Sequence, residues 1–174
     1  RDGQGGTIGL NQTGTGNSVE VWQDTQVGSQ ANVTQTGQLN EGYIDQSFGE
    51  ANKASLTQNG KANASWSDQF ESNNSTTTIS QTGNNNLHYT YQNGENLNLT
   101  VTTQGNGNKI TASNWKGDKM GGQFGTNQNA TINQNAPVVV AGDKSVRYEE
   151  VILLMVALKK AGVPQVGLMT DPVN

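Results

Sequence analysis

The sequence predicts an all-β fold: a cross-β solenoid of about five and a half rungs with two strands per rung, followed by a short βαβ tail. Three observations predict it. Gln12, Gln35, Gln58, Gln81 and Gln104 recur every 23 residues, and so do Gln23, Gln46, Gln69 and Gln92. Gly14, Gly37, Gly60 and Gly83 keep the same phase, as do Asn17, Asn40, Asn63 and Asn86. The chain is also polar without being highly charged: 31% of its 174 residues are hydrophobic and 14% are charged. An ordinary globule carries about 45–50% apolar residues. Composition alone favours a disordered Asn/Gln-rich tract, but the strict period argues for stacked rungs.

In chain order, residues 1–5 form a Gly-rich segment and 6–135 hold the repeats. Each repeat divides into two strand candidates. Strand A ends on the first Gln (TIGLNQ, ANVTQ, KASLTQ, TTTISQ, LTVTTQ) and strand B on the second (SVEVWQ, EGYIDQ, ASWSDQ, LHYTYQ). The Gln-x-Gly-x-x-Asn link between them supplies residues that tolerate positive φ and turn the chain tightly. Side chains alternate between the two faces of a strand. Leu10, Val33, Leu56 and Ile79 share parity with the strand A Gln and form the expected inner face, with Thr102 in the fifth repeat. On strand B the Gln-parity columns are Val19, Gly42, Ser65, His88 and Val21, Ile44, Ser67, Thr90. Tyr43, Trp66, Tyr89, Trp22 and Tyr91 then face outward, because the two Gln positions look equivalent and because Glu20, Asp45 and Asp68 share the aromatic columns.

This arrangement gives the glutamines a physical role. Stacked in register, each lies about 4.7–4.8 Å from its copy, so its amide can donate to the next amide along the axis. A buried amide without such a partner is costly to desolvate. The Asn column extends the same reasoning to the turns.

The period breaks after Gln104. Residues 108–114 read as a strand B one residue early, with Asn114 in the Gln position. An irregular insertion follows at about 115–127, and 128–134 resumes as a last strand A with Ala130, Ile132 and Gln134 inward.

The spacing S/N-x5-Q-x-G-x2-N-x5-Q, complete at 75–92, resembles the repeat of curlins, the subunits of curli fibres, over about 6–134. The resemblance implies a secreted, extracellular functional amyloid subunit that forms cross-β fibres in a biofilm matrix. Its implied partners are further copies of itself and a secretion and nucleation machinery. The start R-D-G-Q-G-G is similar to the export-recognition segment that precedes curlin repeats. Val19, Gly42, Ser65 and His88 depart from the family, which usually has Ala there.

From residue 136 to 174 the composition changes. Residues 138–141 and 166–169 read as strands. Residues 147–161 read as a helix with Val151, Leu154, Met155 and Leu158 on one face, Glu149 and Glu150 near its start and Lys159 and Lys160 near its end. Gly162 and Pro164 mark its stop. The segments VVVAGDKSVRYEEV and KKAGVPQVGLMTDP resemble the end of the periplasmic domain of the ExbD/TolR family, which couples proton flow to outer-membrane transport. That family's membrane helix and proton-linked Asp have no counterpart here, so proton coupling is not carried over. The helix is apolar nearly all round, so it is expected to cover the last rung or pair with another chain.

Other chemistry finds little support. The chain has no cysteine for a disulfide or thiolate site. Its net charge of −4, without a basic stripe, argues against nucleic acid. Its longest apolar run, 151–158, is far shorter than the roughly 20 residues of a bilayer span. The start at Arg1, without a secretory leader, is what a processed mature form would show. His88 is the only histidine, so no His-based metal cluster, cofactor site or catalytic centre is expected. Asp45 and Asp68 lie one rung apart, where like charges on an open face limit aggregation. The expected function is that of a non-enzymatic fibre subunit stacking head to tail. The alternative is a binding solenoid, ice-binding or adhesive, using the outward column Asn11, Thr34, Thr57, Ser80, Thr103 beside Gly9, Asn32, Ser55, Thr78, Val101. A third reading, a fragment of a proton-motive-force transport component, rests on the tail alone.

Overall fold

Alternating inward and outward side chains, punctuated by Gly and Asn, make a chain that can neither close a globule nor coil into a helix but can stack on itself. The computed structural model shows that outcome, a parallel β-solenoid, and describes residues 3–111, 123–135, 138–141, 152–153, 156–157 and 166–169. The chain divides into two units, Arg1–Gln134 and Asn135–Asn174.

The first unit is built from β1 (Thr7–Thr15), β2 (Ser18–Val27), β3 (Gln30–Gln38), β4 (Glu41–Glu50), β5 (Lys53–Lys61), β6 (Ala64–Phe70), β7 (Thr76–Asn84), β8 (Leu87–Glu95), β9 (Asn98–Gln104), β10 (Lys109–Thr111), β11 (Gln123–Thr126) and β12 (Asn129–Asn135). The odd-numbered strands through β9, followed by β12, form one sheet in the order β1-β3-β5-β7-β9-β12. The second sheet runs β10-β8-β6-β4-β2, and β11 also pairs with β8. Each successive A strand pairs in parallel with the strand one rung away, Thr7 with Gln30, Gln30 with Lys53 and Lys53 with Thr76. The inner faces of the two sheets enclose one core of Ala31, Val33, Ile44, Ala54, Leu56, Ile79, Leu99, Val101 and Ile110, with Val19, Val21, Ala130 and Ile132 packed against it.

Two corners reverse the chain in each rung. The first turns on Gly16, Leu39, Ala62, Asn85 and Gly107, and the second on Gly28, Ala51, Asn74, Asn96 and Asn127, all with φ between 51° and 68°. Left-handed geometry costs a non-glycine residue roughly 1–2 kcal/mol, so the corners are held by the stack around them. Gly14, Gly37, Gly60 and Gly83 sit just before the first corner with φ from 112° to 130°. A Cβ on any of them would lie 1.9–2.1 Å from a carbonyl oxygen of the next rung, so the repeat's invariant glycines mark a close backbone approach as well as a turn.

The fifth rung corrects the sequence reading. β9 pairs with β7 at a spacing of 22, so Gln81 meets Thr103 and Gln104 pairs with Thr82. Gln104 is therefore outside the Gln column and exposed, while Leu99, Val101 and Thr103 point inward in place of Thr100, Thr102 and Gln104. The cause is one lost bulge residue. In the first three rungs a left-handed residue (Thr25, Phe48, Glu71) adds a position after the strand B Gln. After Gln92 that position is missing, and the corner residue Asn96 arrives one step sooner.

Two further expectations are corrected. β11 places Gln123 opposite Gln92, where Asn114 was expected, so the end of the expected insertion is strand; Asn114 itself lies outside the described residues. Leu10 belongs to the inner column, paired with Val33, but is 56% exposed because no rung covers its other side.

In the second unit β13 (Val138–Ala141) pairs in parallel with β14 (Val166–Met169), Val138 opposite Val166. Ile152, Leu153, Val156 and Ala157 are helical and exposed. The remainder of the expected 147–161 helix, including Val151, Leu154, Met155 and Leu158, lies outside the described residues.

Candidate assembly site

The inner-facing amides form continuous columns. Gln12 Nε2 donates to Gln35 Oε1 at 2.7 Å, Gln35 to Gln58 at 2.7 Å and Gln58 to Gln81 at 2.8 Å. On the other sheet Gln23, Gln46, Gln69 and Gln92 each donate to the next Gln at 2.8 Å, and Gln123 receives the last of these bonds. The second amide hydrogen ties the two sheets together. Gln35, Gln58 and Gln81 donate to the carbonyls of Ser18, Glu41 and Ala64 at 2.9 Å. Gln46, Gln69 and Gln92 donate to those of Gln30, Lys53 and Thr76 at 3.1–3.2 Å. These carbonyls accept only, so they set which end of each amide is nitrogen.

The Asn column runs the opposite way. Asn40 Nδ2 donates back to Asn17 Oδ1 at 3.1 Å, Asn63 to Asn40 at 3.0 Å, Asn86 to Asn63 at 2.9 Å and Asn108 to Asn86 at 3.0 Å. Each Oδ1 also accepts the next Asn backbone N–H, so one oxygen satisfies a corner that the strands leave open.

The sequence reading missed a further column at the second corner, Ser29, Asn52 and Ser75, each fully buried. Ser29 Oγ accepts the Asn52 N–H, Asn52 Oδ1 accepts the Ser75 N–H and Ser75 Oγ accepts the Leu97 N–H, at 3.0–3.2 Å. Its signal was present as the leading S/N of the repeat motif. It also missed Thr103, which ends the first Gln column with a buried hydroxyl that has no partner.

The chemistry-bearing side chains do not converge. His88 is inward and fully buried, with neither ring nitrogen hydrogen-bonded, and burial lowers its pKa to about 4. Asp45 and Asp68 are on the outer face of the same sheet, so neither pairs with His88. Burial first, then the neighbouring Asp45, raises the Asp68 pKa to about 7. Tyr43, Trp66 and Tyr89 form one outward column, with Trp66 stacked on Tyr89 at 4.4 Å. Among the described residues no cluster of three His, Cys, Asp or Glu is placed to hold a metal.

The first end of the stack is open. Among the described residues, β1 and β2 pair beyond β3 and β4 only through Gln4, which bridges Val27. Ile8 is 49% exposed, whereas its column-mate Ala31 one rung in is fully buried. No side chain among the described residues donates to Oε1 of Gln12 or Gln23.

Residues 28–60 and 49–83 each match the family model of the curlin associated repeat. Residues 28–83 belong to the curlin repeat family. The matched curlin repeats carry the columns at their most regular, β3 to β7 with every Gln, Gly and Asn in phase. No curated protein matches the chain. Among the described residues no helix is long and apolar enough to cross a membrane.

Proposed function

We propose that the chain is a structural subunit of an extracellular, curli-like functional amyloid fibre, assembled head to tail through its end rungs. The observation that carries this reading is the open first rung. Its two strands each offer a hydrogen-bonding edge, bare except where Gln4 bridges Val27, its inner column shows Ile8 and Leu10 to solvent, and its Gln oxygens await donors. Another rung of the same repeat supplies each missing partner at once. Such a contact is heterologous and does not close, so it propagates as a filament. Secretion and nucleation partners follow from the curlin family. Electron microscopy and fibre diffraction of the purified chain, with and without 136–174, test the reading. Fibres with a reflection near 4.7–4.8 Å along the axis support it, and a chain that stays monomeric at high concentration defeats it.

A second reading, an ice-binding solenoid, gains from the corrected register. Thr100 and Thr102, in place of Val101 and Thr103, join the outward pairs Asn32/Thr34, Ser55/Thr57 and Thr78/Ser80. Thermal hysteresis of the monomer tests it, and an absence of hysteresis removes it.

A further inference from the structure

The outer face of the β2-β4-β6-β8 sheet differs from the rest of the surface. These four strands carry Glu20, Asp24, Glu41, Asp45, Glu50, Asp68 and Glu95 and contain no Lys or Arg. Within this face Asp45 and Asp68 are neighbours in one column, closed at its ends by Trp22 and Tyr91. The adjacent outward column, beginning with Glu20, sets Tyr43 beside Asp45 and Trp66 beside Asp68. Two carboxylates therefore sit in register with four aromatic residues, of which Trp22 is exposed, Tyr43 and Trp66 are half-buried and Tyr91 is buried at 8% exposure.

The arrangement is built rather than incidental. Trp22 Nε1 donates to Glu20 Oε1 at 2.6 Å, which orients the indole. Tyr43 Oη and Ser47 Oγ both donate to Asp45, so that carboxylate is held. Asp68 is different: its Oδ1 is buried and has no hydrogen-bond partner. A carboxylate oxygen withdrawn from water without a donor is costly, and a bound cation removes that cost. The other titratable groups acting here, Glu20 and Glu71 beyond Tyr43 and Tyr91, are acidic as well. A compact hydrated cation gains little from aromatic walls. An alkylated ammonium, weakly hydrated and apolar on its surface, gains from rings and carboxylates together.

We infer that this arrangement of Trp22, Tyr43, Trp66 and Tyr91 in register with Asp45 and Asp68 is a binding site for a quaternary ammonium cation. The site is independent of polymerisation, because its residues come from the first four rungs of one chain. Binding favours ionised Asp68, whose pKa burial and Asp45 raise to about 7, so affinity weakens as pH falls below 7.

Choline chloride titrated into the full-length, freshly refolded chain tests this, followed by tryptophan fluorescence and ligand-observed NMR. The neutral isostere 3,3-dimethylbutan-1-ol and sodium chloride serve as controls. Choline is expected to saturate, with the neutral isostere at least tenfold weaker and sodium failing to displace it at equal concentration. Asp45→Asn with Asp68→Asn should weaken choline at least tenfold while the far-UV spectrum is kept. If that variant does not fold, Trp22→Leu on the exposed first rung is expected to weaken binding several-fold. Equal binding of the neutral isostere, displacement by equimolar sodium, or unchanged affinity in a folded variant overturns the assignment.

Discussion

Lowering the pH should weaken the solenoid through His88 alone by about 3 kcal/mol. The imidazole lies on the inner face between Ser65 and Ile110, with no donor or acceptor for either ring nitrogen. Burial penalises its charged form, so its pKa falls from 6.5 to about 4. In the unfolded chain the same group takes up a proton near pH 6.5. His88 therefore leaves stability intact above pH 6.5 and removes it progressively as pH falls to about 4, below which both states are protonated. The gap between those values corresponds to about 3 kcal/mol. The assay is urea unfolding of the monomer between pH 8 and 4, comparing the wild type with His88→Val, which places in this column the residue of the first rung. The variant should gain on the wild type by about 3 kcal/mol between pH 7 and 4. Parallel pH curves for the two proteins would refute the reasoning, because every other titrating group is shared.

Other perturbations separate the columns from the surface. Gln58→Ala strands the Nε2 of Gln35, the Oε1 of Gln81 and the carbonyl of Glu41, and should cost about 2–4 kcal/mol in urea unfolding. Gln104→Ala, at an exposed position outside the column, should stay within about 0.5 kcal/mol of the wild type. Thr103→Gln offers Gln81 a second, in-column amide acceptor beside the Ala64 carbonyl and should raise stability by about 1 kcal/mol, seen as a higher Tm; a lower Tm counts against the column account. Gly60→Ala drives a Cβ to 1.9 Å from the Gly83 oxygen at a φ of 130°, and should abolish the cooperative unfolding transition. Asp68→Asn should stabilise the chain at pH 8 and have little effect below pH 4. The raised Asp68 pKa keeps its contribution intact below 3.8 and removes it as pH rises through about 7, which paired urea titrations would show.

The residue-by-residue reading succeeds where the repeat is periodic and fails where a backbone conformation has no residue signature. The period of 23 identifies both Gln columns, the Asn column and the outward placement of Tyr43 and Trp66, because parity leaves two choices and the carboxylates at Asp45 and Asp68 select one. Gln104 misled because its spacing from Gln81 is still 23, while the bulge that keeps register is absent after Gln92. Thr25, Phe48 and Glu71 share that left-handed bulge without sharing any chemistry, so nothing in their side chains announces it. Gln123 was hidden for a related reason, since it follows its partner Gln92 by 31 residues in place of 23, so spacing is no guide there. Leu10 shows that parity reports direction, whereas burial needs neighbours on both sides.

The one-way order of the amide columns has a consequence for symmetry. Each Gln gives its hydrogen toward the C-terminal rungs, and each Asn gives its own toward the N-terminal ones. A second copy laid upside down on the first rung would set oxygen against oxygen at Gln12 and at Gln23. The columns thus act as arrows that forbid inversion. A filament of such subunits has two unlike tips, and its axial amide dipoles partly oppose one another rather than accumulating with length.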